Sequence, residues 1–135
     1  MATRVLDSWA IIAFLEDEPA AEQVEKILSQ AAADKHKLLL CAVNWGEIYY
    51  NTMREVSQEA AEQQARNIAA LPIEIVGVPD DLALVRQAAI FKARHKMAYA
   101  DAFAAALAKI RNAELLTGDP EFKQVEKEIK ICWLK

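Results

Sequence analysis

The sequence predicts an α/β fold: a mostly parallel five-stranded sheet in the order 3-2-1-4-5 with helices on both faces. Three observations carry this reading. Short apolar runs of strand length alternate with longer segments of helical period along the whole chain. At least one run, LLLCAV, is apolar at every position, as in a strand covered on both sides. Helical segments between successive strands are the crossovers that parallel neighbours require.

Thr3 to Leu6 reads as a short buried strand that stops at Asp7, and SWAIIAFLEDE then takes a helical pattern. Pro19 suits the first turn of a second helix, whose Ala20, Val24, Ile27, Leu28 and Ala31 follow the 3.6-residue period. Leu38 to Val43 is the second strand and NWGEIYYNTMREV the next helix. Ser57 is expected to cap SQEAAEQQARNIAAL, which Pro72 ends. IEIVGV is a third strand, and Asp80 is expected to cap the helix DLALVRQAAIFKARHK. A helix containing Asp101, a strand at ELL, a helical turn after Pro120 and a last strand IKICWL complete the order. No repeat, low-complexity segment or linker interrupts it, so a single domain over 1–135 is expected.

Composition excludes several classes. Sixteen basic against twenty acidic side chains give a net charge of −4, which argues against a broad basic surface for nucleic acid while leaving room for a local groove. The apolar run from Trp9 to Leu15 follows Asp7 directly and is far below the roughly 18–20 residues that span a bilayer, so a cytoplasmic protein with no membrane association is expected. Cys41 and Cys132 lie in apolar runs and are expected to stay as free thiols. With only His36 and His95 beside them, no zinc-site spacing can be assembled.

The chemistry concentrates in four acids. In a parallel sheet with helical crossovers, strand carboxyl ends and the starts of the following helices share one edge. Asp7 ends the first strand and Asp119 follows the fourth. Glu47 falls in the first turns after the second strand, and Asp101 opens the helix that precedes the fourth. With the first strand central and the fourth beside it, Asp7 and Asp119 flank the crevice where strand order reverses, the usual ligand site of such sheets. Like charges about 4 Å apart repel by roughly 4 kcal/mol at an effective dielectric of 20, so either protons or a metal must enter. Carboxylates without His or Cys are hard ligands that favour Mg²⁺ or Mn²⁺. Hydrolysis of a phosphodiester is the chemistry that follows.

The fragments VLDSWAIIAFL, AVNWGEIYY, YADAFAAALA and LLTGDPEF, in that order, resemble the PIN-domain family and within it the VapC toxin branch of toxin–antitoxin systems. The resemblance implies a PIN-like domain with catalytic, metal-holding acids at Asp7, Glu47, Asp101 and Asp119. It also implies hydroxyls at Ser8 and Thr117 that orient carboxylates. The activity implied is that of a Mg²⁺- or Mn²⁺-dependent endoribonuclease, a homodimer acting on RNA and restrained by an antitoxin protein.

Each residue also has a plainer reading. On it, Asp119 is only a helix cap, Asp101 a partner of the helix dipole, Asp7 a turn residue, and Glu47 part of a solvated stripe with Asn44 and Asn51. KARHK fits an exposed helix C-terminus, and its place before Tyr99 also makes Lys92, Arg94 and Lys96 candidate RNA-phosphate contacts. Trp9, Trp45 and Tyr99 are able to stack on bases, although packing is the better account of both tryptophans. Tyr49, Tyr50 and Met53 suit a dimer or antitoxin surface. The rivals to a nuclease are a non-catalytic PIN-like module that binds RNA or protein and, last, a receiver-type phosphoacceptor domain.

Overall fold

In the computed structural model, which describes residues 2–135, five strands pair in the order β3-β2-β1-β4-β5 and every pairing is parallel. The strands are β1 (Ala2–Leu6), β2 (His36–Cys41), β3 (Glu74–Val76), β4 (Glu114–Thr117) and β5 (Lys130–Trp133). Between them run helices α1 (Ser8–Leu15), α2 (Ala21–Ala32), α3 (Ala42–Glu55), α4 (Gln58–Ala69), α5 (Ala83–Arg94) and α6 (Tyr99–Ile110), with a 3₁₀ turn at Pro120–Val125. This is the predicted α/β fold and strand order.

The central strands are apolar because each is covered twice, whereas the edge strand β3 leaves Ile75 43% exposed. Val5, Leu39, Cys41, Val76 and Leu115 face one buried cluster with α5, α6 and Phe122. Their alternating neighbours Leu6, Leu38, Leu40 and Leu116 face a second cluster with α1, α2, Ile48 and Ile68. The period-two alternation splits one apolar run between two cores. In α6 every residue from Ala102 to Leu107 is buried, as is Ala108, and its alanines let the helix lie close over the central strands.

The helix ends follow local chemistry more than glycine. Asp17, Asp34 and Asn112 take left-handed backbone, with φ of 52, 59 and 50°, just after α1, α2 and α6. In each case the next amide reaches back to a carbonyl five residues earlier, as in Glu18 to Ala13, Lys35 to Gln30 and Ala113 to Ala108. Asp and Asn tolerate this conformation best after Gly.

Several boundaries differ from expectation, and β3 and β5 cover only Glu74–Val76 of IEIVGV and Lys130–Trp133 of IKICWL. β2 ends at Cys41, because Ala42 and Val43 already belong to the first turn of α3, and an apolar run cannot by itself separate a buried strand from a buried helical turn. Pro19 lies ahead of α2, which begins at Ala21. Asp80 does not cap α5; Leu82, at φ 64°, is the N-cap residue, and the Asp81 side chain takes the Ala83 amide at 3.0 Å. Ser57 does cap α4, accepting from Ala60 N at 3.0 Å. Both cysteines are free. No helix among the described residues is long and apolar enough to cross a membrane.

Candidate metal centre

The register of the two central strands brings the first pair of polar residues together. Leu6 pairs with Leu116, so Asp7 and Thr117 emerge side by side where β1 and β4 end. Asp7 is the N-cap of α1: its Oδ1 accepts from Ala10 N at 2.9 Å, while Oδ2 accepts from Thr117 Oγ1 at 2.5 Å. The same Thr117 oxygen accepts from Asp119 N at 3.0 Å. Asp7 is only 1% exposed and Thr117 is fully buried.

Asp119 caps the 3₁₀ turn through Oδ1, which accepts from Glu121 N at 2.9 Å. The turn in turn carries Glu121 to the start of α6, where its Oε1 accepts from Ala98 N at 2.8 Å. Asp101 sits in the first turn of α6 and is partly covered. The result is a trio, Asp101, Asp119 and Glu121, with one carboxylate oxygen from each lying within 4.8 Å of the others.

This trio departs from the predicted quartet of Asp7, Glu47, Asp101 and Asp119. Asp7 and Glu47 lie around the trio rather than in it. Both oxygens of Asp7 are engaged by the chain, and Glu47 projects from the second turn of α3. Both are nevertheless close enough for their charges to raise the pKa of Asp101. Glu121 is absent from the predicted set. The available signal was its place two residues after Asp119 in GDPEF, where a cap and its first turn share one loop.

Electrostatics follow from this crowding. Burial lifts Asp101 to about 7, with further upward pushes from the charges of Asp119, Glu47, Glu121 and Asp7. Asp7 is also lifted to about 7, chiefly by burial and less by Asp119, against downward pulls from its bonds to Thr117 and Ala10 N. An acid held protonated near neutrality by its neighbours is one that a cation would ionise. The donors are all carboxylate oxygens, which suits Mg²⁺ or Mn²⁺ and does not suit a thiophilic metal.

The remaining predicted residues take varied positions. Ser8 Oγ donates to the Asn44 carbonyl at 3.3 Å rather than to a carboxylate. Lys92 Nζ donates to Met97 O at 2.7 Å, closing the link from α5 to α6, while Arg94 and Lys96 are exposed. Gln124 of the 3₁₀ turn accepts from the Lys96 amide and donates to the Lys96 carbonyl, which docks the segment after α5 on that turn. Asn44 is fully buried, so the plainer reading of Glu47 as part of a solvated stripe with it does not hold. Tyr99 is exposed and tilted onto Phe103, and Trp45 stacks on Tyr49 with ring centroids 5.5 Å apart. Trp9 packs on the α1 side of the sheet and lies over Gly118, where any Cβ would collide with its six-membered ring. The hollow of about 420 Å³ bounded by Ala108, Asn112 and Ile129 lies at the opposite, amino end of the sheet. Asp101, Asp119 and Glu121 are each partly exposed, while Asp7 is buried beneath them.

The acids gather at the carboxyl edge of a parallel α/β sheet, the edge where open sheets of this kind usually bind ligands. The PIN domain family model matches residues 4–128, and the chain belongs to the PIN domain family. A search among curated proteins gives no match. Solved structures share the fold over nearly the full chain at low identity. VapBC2 from Rickettsia felis, bound to a promoter DNA fragment, is similar at 13% identity and TM-score 0.77, covering 98% of this chain and 99% of that one. DNA-bound VapBC from Salmonella typhimurium is similar at 14% and 0.74, covering 98% of each chain. VapC20 from Mycobacterium tuberculosis, a Sarcin-Ricin loop cleaving toxin, is similar at 16% and 0.70, covering 90% of this chain and 94% of that one.

Proposed function

We propose that this chain is a Mg²⁺- or Mn²⁺-dependent endoribonuclease and the toxin of a toxin–antitoxin pair. The observation that carries the reading is the carboxylate trio of Asp101, Asp119 and Glu121 beside the hydrogen-bonded Asp7, at the open carboxyl edge of a PIN fold. Asp101, Asp119 and Glu121 would hold the cation, with Asp7 and Glu47 completing its negative surroundings. A divalent cation there supplies a more acidic water and neutralises charge on the scissile phosphate.

The chain's own groups do the orienting. Thr117 Oγ1 fixes Asp7 Oδ2, Glu121 N fixes Asp119 Oδ1, and Ala98 N fixes Glu121 Oε1. Each bond leaves other carboxylate lone pairs free and limits their motion, the arrangement that preorganises a charged site. Exposed Lys92, Arg94 and Lys96, between the end of α5 and the start of α6, serve in this reading as phosphate contacts, which lets RNA approach an acidic protein. Tyr99 offers a base-stacking face.

The toxin part of the reading rests on the family and on the VapBC complexes that share the fold. It assigns a cytoplasmic homodimer of one-domain chains, 1–135, held by an antitoxin protein. The test is cleavage of single-stranded RNA by the purified chain with Mg²⁺ or Mn²⁺ and with EDTA. Cleavage that EDTA abolishes supports the reading. RNA or partner binding that survives EDTA, with no cleavage under any cation, establishes the non-catalytic module instead.

A further inference from the structure

Asn44 is the one buried side chain among the described residues with a polar atom left unpartnered: it is fully buried and its Oδ1 has no hydrogen-bond partner. Its two other hydrogen bonds reach the chain neighbours of two acids. Nδ2 donates to the carbonyl of Ala100, the residue before Asp101, at 3.0 Å. Its own carbonyl accepts from Ser8 Oγ, the residue after Asp7, at 3.3 Å. It stands three residues before Glu47 on α3, on the same face of that helix.

Stability does not explain an asparagine here. The Ala100 carbonyl already has its own partner in the α6 ladder, so it needs no second donor. A buried acceptor without a partner is a net cost, and an apolar side chain of similar volume would remove that cost. What leucine would lose is the hydrogen-bonded tie from α3, which carries Glu47, to the first turn of α6, which carries Asp101.

We propose that Asn44 is a positioning residue of the cation site, holding α3 against α6 so that Glu47 and Asp101 flank one ion. The inference rests on the proposed cation site and on no further property of the nuclease.

The test reads cation affinity and folding separately. Mn²⁺ binding is titrated by the paramagnetic resonance signal of the free ion, and thermal midpoints are measured without metal, for the wild type, Asn44→Leu and Asn44→Ala. The expected result is an Mn²⁺ dissociation constant raised at least tenfold in both variants, the range for groups that orient metal ligands, with the Asn44→Leu midpoint at or above that of the wild type. Should Asn44→Leu fail to fold, Asn44→Ala carries the affinity test alone. Affinities within twofold of the wild type in the folded variants overturn the inference and leave the nuclease reading intact. So does an affinity loss that appears only with a lowered Asn44→Leu midpoint, which makes the residue structural. A wild type that binds no Mn²⁺ overturns both.

Discussion

Thr117 holds Asp7 by donating from Oγ1 to Oδ2 at 2.5 Å, and the same oxygen receives the amide of Asp119 at 3.0 Å. One hydroxyl thus links the acid that ends β1 to the acid that follows β4. The bond favours the ionised form of Asp7 and pulls its pKa down. Thr117→Val should therefore raise that pKa, cost about 1–3 kcal/mol through the groups left unpaired, and lower RNA cleavage at pH 7 by roughly tenfold or more. Thr117→Ser keeps the donor and should remain near the wild type. Cleavage rates and denaturation midpoints of the two variants check this.

Asp7 also makes stability depend on pH. Its carboxyl titrates at about 7 in the fold, against an ordinary carboxylate value of 3.8 in the unfolded chain. Between those values the folded state holds the extra proton, so stability falls as pH rises through the window and levels off above about 7. Asp101, also lifted to about 7, adds to the same slope. Asp7→Asn cannot ionise. Without metal, its thermal midpoint should match the wild type near pH 4 and exceed it by roughly 10–15 °C at pH 8. Thermal scans in EDTA across this range would show it.

Glu121 separates charge from geometry. Glu121→Gln retains an oxygen able to accept from Ala98 N, so the start of α6 stays in place. It removes one of the charges that hold Asp101 protonated. Mn²⁺ affinity should fall roughly tenfold or more while the midpoint without metal is unchanged or higher.

Two glycines predict opposite outcomes for the same substitution. A Cβ on Gly118 would enter the Trp9 ring, whereas one on Gly46, inside α3, meets nothing within 4 Å. Gly118→Ala should cost about 1–3 kcal/mol, and Gly46→Ala should add about 0.5–1 kcal/mol through helix propensity. Denaturant titrations of the two variants give both signs.

Much of the fold was legible because its cause is local. Apolar runs such as Leu38 to Leu40 and the 3.6-residue period of α2 need no tertiary information, and parallel order follows from the crossovers. The common edge of Asp7, Glu47, Asp101 and Asp119 followed from topology alone. What the chain order hid depends on contacts between distant segments. Glu121 joins the trio only because the 3₁₀ turn docks on Ala98. Asn44 reads as a polar helix residue until α6 covers it and takes its amide hydrogen at Ala100. The strand boundary at Cys41 was hidden for another reason: Val43 packs against the same core from the first turn of α3.

The central claim is that acids at this edge act through divalent metal to cut RNA, and it is tested most directly by cleavage of single-stranded RNA in Mg²⁺ or Mn²⁺ by the wild type, Asp7→Asn and Asp101→Asn. The account predicts cleavage by the wild type that stops in EDTA and falls by roughly a hundredfold or more in both variants, each still folded. Full activity in both variants, or cleavage that persists in EDTA, would contradict it.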